Sequence, residues 1–361
     1  MCRYLFYYIG NYVGSFANHL QMAQKYDARQ IRTEVRNMCT AITWNGKEHY
    51  FGRTLDYTRS FGEEVVITPR NYPFHFRHVK ERETHFAMIG TALVCEEYPL
   101  YYDAVNEKGL GMAGLNFPGN AVYGDPVHGK ENVAQFELIP WILGQCDSVE
   151  AAAKCLRRLN ITRDAFAENL PAAELHWIIA DHRKAITVEA EAEGLRIYDN
   201  PVGVLTNNPP FPFQLFQLNN YMHLSPEDPE NHFGTELPLH PYCLGLGALG
   251  LPGDLSSQSR FVRAAFTKIH AVQGETEEEN VNQFFHILEN VQQTRGCSRT
   301  TEGDCEITIY TSCCSAAKGI YYYTTYGNHQ ITAVKLRQEN LDGTGLARWP
   351  MIREEKMRMQ N

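Results

Sequence analysis

The sequence predicts an α+β fold in which antiparallel sheets are covered by helices. Three observations point there. Short β-branched and aromatic runs recur near both ends and in the middle of the chain. Turn signals separate them, the plainest being Asn45-Gly46. Two helical blocks alternate with the strand blocks, with no linker or internal repeat between them. With 361 residues, 43% of them hydrophobic, the part after residue 37 is large enough to bury the core of one sizeable domain.

Residues 39–44 are β-branched and aromatic and read as a strand. Asn45-Gly46 turns the chain, and residues 49–53 return, which brings Arg53 and Asp56 back to the Cys39 end. Residues 65–68 form a strand closed by Pro69. Residues 109–117 are a Gly-rich strand. Their glycines lack the G-x-G-x-x-G spacing that opens a helix, so they signal close strand packing and not a phosphate loop. Residues 132–143 are predicted as a helix. A second helix opens at Asp147, with Glu150 three residues on in a capping-box arrangement, and runs through residue 159. Four strands at 175–180, 185–190, 195–198 and 202–206 form an antiparallel meander that ends at Pro209-Pro210-Phe211-Pro212. Residues 256–272 and 277–291 are helices, and Glu277-Glu278-Glu279 suits the positive end of the second. Strands at 306–311, 319–325 and 330–335 make a last meander, followed by an extended tail of mixed charge from residue 338.

Composition excludes several classes of function. The net charge is −9 and the basic residues are scattered, so no nucleic-acid surface is expected. No run approaches the roughly 20 apolar residues of a membrane span. Ten cysteines over this length do not make a disulfide scaffold, and a reduced, cytoplasmic setting is expected. Cys297, Cys305, Cys313 and Cys314 lack the spacing of a zinc knuckle, so no metal site is expected.

The chemistry centres on Met38-Cys39-Thr40. A cysteine released as residue one would carry a thiol and a free amine together, a nucleophile and its base on one residue. Arg53 would favour the thiolate, and Asp56 would hold the ammonium or orient the amine. Asn207 and Asn116 each end a strand just before a proline-containing turn, where an amide N–H can face a developing oxyanion. Arg260 lies near a helix start, against the dipole, and calls for a partner. Taken singly, each has a plainer reading: a small apolar residue, a surface ion pair, turn chemistry, a solvated cation.

Together these motifs identify the chain as similar to a known family. Met38-Cys39-Thr40, Phe51-Gly52-Arg53-Thr54-Leu55-Asp56, Asn106 to Pro118, Gly203-Val204-Leu205-Thr206-Asn207, Leu251-Pro252-Gly253-Asp254 with Ser259-Arg260-Phe261, Tyr310-Thr311-Ser312-Cys313 and Glu339-Asn340-Leu341-Asp342-Gly343 resemble the choloylglycine hydrolases. The closest type is the bile salt hydrolases of gut Gram-positive bacteria, with penicillin V acylases as relatives. The resemblance implies an N-terminal-nucleophile hydrolase with a four-layer αββα sandwich, assembled as a homotetramer and needing no cofactor or metal. It implies Cys39 as nucleophile and, through its amine, base. Arg53, Asp56 and Arg260 would tune the site, and Asn207 with the backbone N–H of Asn116 would form the oxyanion hole. Bile salt hydrolases resemble the Asn at 116, where penicillin V acylases tend to carry Tyr. The expected reaction cuts the amide between a bile acid and glycine or taurine. Leu55, Tyr57, Phe61, Leu100, Tyr101 and Tyr102 are candidates for the steroid pocket. Cleavage of penicillin V or N-acyl homoserine lactones is an alternative, as is a bile-salt-binding protein without catalysis if Cys39 is never freed. Residues 1–37 are absent from most Gram-positive members. They are expected to reflect a start upstream of the true Met38, or a removable leader, and a form retaining them is expected to be inactive.

Overall fold

The computed structural model of the protein describes residues 38–361; the expectations for residues 1–37 lie outside the described residues. The fold starts from the Asn45-Gly46 hairpin. It joins β1 (Cys39–Asn45) to β2 (His49–Tyr57) in a register that pairs Cys39 with Leu55 and Ala41 with Arg53. Next come β3 (Glu64–Thr68), β4 (Met88–Cys95), β5 (Tyr98–Asn106) and β6 (Gly111–Asn116). Residues 131–134 correct the sequence reading: they are not helical but form β7 (Glu131–Ala134). β7 pairs in parallel with β8 (Leu159–Thr162), a partner too distant in sequence to leave a local signal. Between these strands, a 3-10 turn leads into α1 (Leu138–Leu143), and α2 (Val149–Leu156) follows. α2 is capped by the Ser148 hydroxyl, which accepts from the Ala151 N–H, and not by Asp147; it stops at Leu156, before the residues claimed by β8.

β9 (Leu175–Ala180), β10 (Ala185–Glu191) and β11 (Gly194–Asp199) form an antiparallel meander. The fourth expected strand does not join it. β12 (Val204–Leu205) crosses to the other sheet and pairs with β1, which delivers Asn207 to the Cys39 end. After the short α3 (Phe211–Gln217), two longer helices follow, α4 (Ser257–His270) and α5 (Glu277–Glu289). α5 has a true capping box between Thr276 and Glu279. The last strands are β13 (Ile307–Ser315), β14 (Ile320–Thr325), β15 (Asn328–Lys335) and β16 (Ala347–Pro350). β16 lies in the region expected as an extended tail. It pairs with β3 and covers that edge of its sheet.

The strands build a six-stranded sheet, in the order β12-β1-β2-β13-β14-β15, and an eight-stranded sheet, β11-β10-β9-β6-β5-β4-β3-β16. Strand alternation then sorts the core. In β6, Ala113 and Leu115 face the six-stranded sheet, while Met112 faces the layer of α1 and α2. One apolar cluster fills the space between the sheets and continues beneath α4 and α5, and a second lies between the eight-stranded sheet and α1 and α2. The result is a four-layer αββα sandwich. β2 is central in its sheet, so Arg53 and Asp56 lie in its interior with no exposed surface.

The start of α4 sets the direction of Arg260. Ser256 caps the helix, and the Asp254 carboxylate accepts from the Ser256 N–H (2.9 Å) and the Ser259 hydroxyl (2.5 Å). These hydrogen bonds hold the Asp254 carboxyl down at about 2. The folded value lies below the unfolded one, so the contribution is present above about pH 4 and fades as the pH falls toward 2. Asp254→Asn is therefore expected to lower the urea midpoint at about pH 6, and the difference from wild type should close between about pH 4 and 2.

Candidate active site

The site forms where β1 begins, β2 returns, β6 ends and β12 hands over to a turn. Cys39 is the first residue of β1 and is 3% exposed. Its backbone N–H donates to Asn207 Oδ1 at 2.9 Å. The same oxygen accepts from Arg260 Nη2 at 2.8 Å. Arg260 Nη1 also donates to the Cys39 carbonyl (2.5 Å) and the Thr40 hydroxyl (2.7 Å), so α4 is latched onto the first turn of the site. These contacts supply the partner that a cation near a helix start requires.

Asn207 is held at both ends of its backbone. Its N–H donates to Ser257 Oγ at 2.9 Å, and its carbonyl accepts from Gln214 Nε2. Its side-chain Nδ2 donates to the Asn116 carbonyl at 2.8 Å. Phe117 N–H bonds across to Glu174, toward β9. Peptide directions alternate along an antiparallel strand, so the Asn116 N–H and carbonyl both point to the opposite edge, where Asn207 sits. One amide hydrogen of Asn207 and the Asn116 N–H therefore share a border.

Arg53 reaches the site from the strand next to β1. Its Nη1 donates to the Gly114 carbonyl (2.5 Å) and the Tyr102 carbonyl (3.2 Å), and Nε donates to the Thr54 carbonyl. Nη2 is buried with no partner among the described residues. Asp56 accepts from the hydroxyls of Thr308 (2.6 Å) and Thr54 (3.1 Å), and its backbone N–H donates to the Met38 carbonyl at 3.1 Å. Burial pushes its carboxyl up to about 6, opposed by Arg260 and these hydroxyls. Burial likewise raises the Cys39 thiol above its ordinary value; Arg53 pulls it down, but not by enough to offset the loss of water. A thiol in this setting needs a base to lose its proton.

Two acidic groups at the site carried no signal in the sequence. Glu306 accepts from the Met38 N–H at 2.5 Å, and burial lifts its carboxyl to about 7. Asp103 is buried beneath Arg53 and accepts from the hydroxyls of Tyr310, Ser312 and Tyr321. Glu306 comes to Cys39 because β13 pairs with β2 in the same sheet, and Asp103 because the eight-stranded sheet packs against that sheet; both depend on partners far along the chain.

A cavity opens at Cys39 and runs under the loop and helix that carry Phe136, Ile139 and Phe166. Arg53, Asn116, Leu55, Tyr57, Phe61, Leu100, Tyr101 and Tyr102 all line it. Asp56, Asn207 and Arg260 do not; they stand behind Cys39. The wall is mostly apolar, and the reactive groups converge at one end, which suits an amide attached to a large apolar body. Among the described residues no group of His, Cys, Asp and Glu is arranged to hold a metal ion.

Residues 39–348 match the family of linear amide C–N hydrolases, the choloylglycine hydrolase family. A bile salt hydrolase/transferase of Lactiplantibacillus plantarum is 53% identical over 317 residues, covering 88% of this chain and 98% of that protein. A bile salt hydrolase/transferase of Clostridium perfringens is 40% identical over 312 residues, covering 85% and 94%. The crystal structure of a variant of the C. perfringens conjugated bile acid hydrolase superposes with a TM-score of 0.83 at 37% identity, covering 90% of this chain and all of that one. Penicillin V acylase from Agrobacterium tumefaciens shares the fold, with a TM-score of 0.70 at 17% identity over 86% of this chain and 90% of that one.

Asn207 links the Cys39 N–H, Arg260 and the Asn116 edge. Asn207→Ala is expected to cut amide turnover roughly 10²–10³-fold, the usual cost of one lost oxyanion donor. The far-UV circular dichroism spectrum should stay that of the wild type.

Proposed function

The chain belongs to the choloylglycine hydrolase family of linear amide C–N hydrolases, and on that footing we propose that it hydrolyses conjugated bile salts at the amide joining the bile acid to glycine or taurine. The observation that carries the proposal is Asn207, which joins the Cys39 N–H, Arg260 and the Asn116 edge behind the end of an apolar cavity that Cys39 and Asn116 line. The names of the relatives at 53% and 40% identity support the substrate class.

In the proposed mechanism the Met38–Cys39 peptide bond is first hydrolysed: water supplies a hydroxyl to the Met38 carbonyl carbon and a hydrogen to the Cys39 nitrogen, which becomes an amine. The raised thiol makes this step necessary, because an amide nitrogen cannot accept its proton. The amine takes the proton, and Sγ attacks the substrate carbonyl carbon. The oxyanion is received by Asn207 Nδ2 and the Asn116 N–H. The C–N bond breaks as the ammonium returns a proton to the leaving nitrogen, and glycine or taurine departs. Water, deprotonated by the amine, then attacks the thioester carbon; the free bile acid leaves and the thiol is restored. Arg53 and Arg260 hold negative charge on the thiolate and steady the backbone around it.

Self-association as a homotetramer is part of the proposal. From the end of α3 to the start of α4 the chain exposes Phe216, Met222, Phe233, Tyr242 and Leu244, a set too apolar to suit a surface left in water. Cytoplasmic residence is also proposed, on the nine free cysteines among the described residues.

Three measurements test this reading. Incubation with glycine- and taurine-conjugated bile salts should release free amino acid, and Cys39→Ala should release none. Release from penicillin V alone would overturn the substrate. The intact mass of the active enzyme should correspond to a chain beginning at Cys39, and a fully active form still carrying residues 1–37 would overturn the role of the amine. Phe233→Ser combined with Leu244→Ser should lower the sedimentation coefficient toward that of a monomer.

A further inference from the structure

His176 lies outside the reacting groups, yet it touches the neighbours of both proposed oxyanion donors. It sits on β9, opposite Leu115 of β6, and has no exposed surface. Its Nε2 donates to the carbonyl of Thr206 at 2.9 Å, and the next residue is Asn207. Its ring lies flat on Phe117, with centroids 4.3 Å apart and planes within 8°, and the preceding residue is Asn116. Its Nδ1 meets Glu189 Oε1 at 2.9 Å. Glu189 is equally buried and accepts from the Phe211 N–H, at 3.0 and 3.3 Å. A peptide carbonyl only accepts, so Nε2 carries a hydrogen, and Nδ1 shares a hydrogen bond with Glu189 Oε1.

We propose that His176, braced by Glu189, is a positioning residue that fixes the distance between Asn116 and Asn207. The two asparagines belong to different sheets, Asn116 to the end of β6 and Asn207 to the turn after β12. Ser257 and Gln214 restrain Asn207 alone, and the direct bond from Asn207 Nδ2 to the Asn116 carbonyl uses the very amide group that is to receive the oxyanion. His176 spans the gap, with a hydrogen bond to one arm and a stacked face on the other. A buried histidine–carboxylate pair is costly to desolvate, and leucine or phenylalanine would fill the space without that cost. The pair is placed where a fixed spacing has chemical value, since an oxyanion donor acts only within about 2.7–3.1 Å of the oxygen it receives. An error of about 1 Å costs on the order of 100-fold.

This inference rests on the proposed thioester mechanism, and its test separates the two. His176→Phe keeps a flat ring against Phe117 and removes the N–H to Thr206. On a glycine-conjugated bile salt, kcat should fall roughly 10–100-fold with KM nearly unchanged. Alkylation of Cys39 by iodoacetamide should keep its wild-type rate, because that reaction forms no oxyanion. Glu189→Gln should lower kcat in the same pattern by a smaller factor. An unchanged kcat would overturn the inference, and so would a parallel loss of turnover and alkylation, which marks general loosening of the site. If His176→Phe does not fold, Phe117→Leu removes the stacked partner instead and is held to the same pattern. A wild type that releases no glycine or taurine but cuts another amide overturns the substrate reading. The kcat and alkylation comparison then stands on that other amide.

Discussion

Two guanidinium groups, those of Arg53 and Arg260, are held wholly out of water on either side of Cys39, and the need to compensate them organises the surroundings. Backbone carbonyls take most of their N–H groups: Gly114, Tyr102 and Thr54 for Arg53, Cys39 and Leu255 for Arg260. Asp56, Asp103 and Glu306 supply the opposing charge. Burial raises all three carboxyls, so none is a strong counter-ion in isolation. The hydroxyls of Thr54 and Thr308 make the Asp56 carboxylate tolerable, those of Tyr310, Ser312 and Tyr321 do so for Asp103, and Glu306 receives the Met38 N–H. Central strands of a closed sandwich are where so many partners can be brought to one place without water.

Much of this arrangement has a local cause and was legible in the sequence. The Asn45-Gly46 turn fixes the hairpin register, and the register alone carries Arg53 and Asp56 to the Cys39 end. Proline after Asn207 and after Asn116 marks strand ends. What could not be read depends on partners far away along the chain. Residues 131–134 have the apolar content of a helix start, but they pair with residues 159–162, and a parallel partner leaves no local mark. The strand before Asn207 has a meander-like sequence, yet it leaves its neighbours for the other sheet. Glu306 is an ordinary polar residue until β13 pairs with β2, and Asp103 and His176 are so until the two sheets close over them. The chemistry-bearing residue types could be named in advance; the charges that compensate them could not.

The Met38–Cys39 peptide is held at both of its polar groups: its carbonyl accepts from the Asp56 N–H and its N–H donates to Asn207, while the preceding amide, the Met38 N–H, donates to Glu306. Both backbone polar groups of Met38 are therefore satisfied, as they would be inside a strand.

Gly114 has so far figured only as a carbonyl that receives Arg53 and as part of the cavity wall. At this point the wall is bare backbone. A methyl group there would stand 3.1 Å from Trp177 Nε1 and 3.4 Å from Leu175 Cδ1, tighter than ordinary contact on one side. The missing side chain thus keeps the wall low beside Cys39, while the same residue's carbonyl receives the Arg53 guanidinium. A side chain at this position would narrow the cavity next to the sulfur, so the shape of the space and the seat of a buried charge meet at one residue.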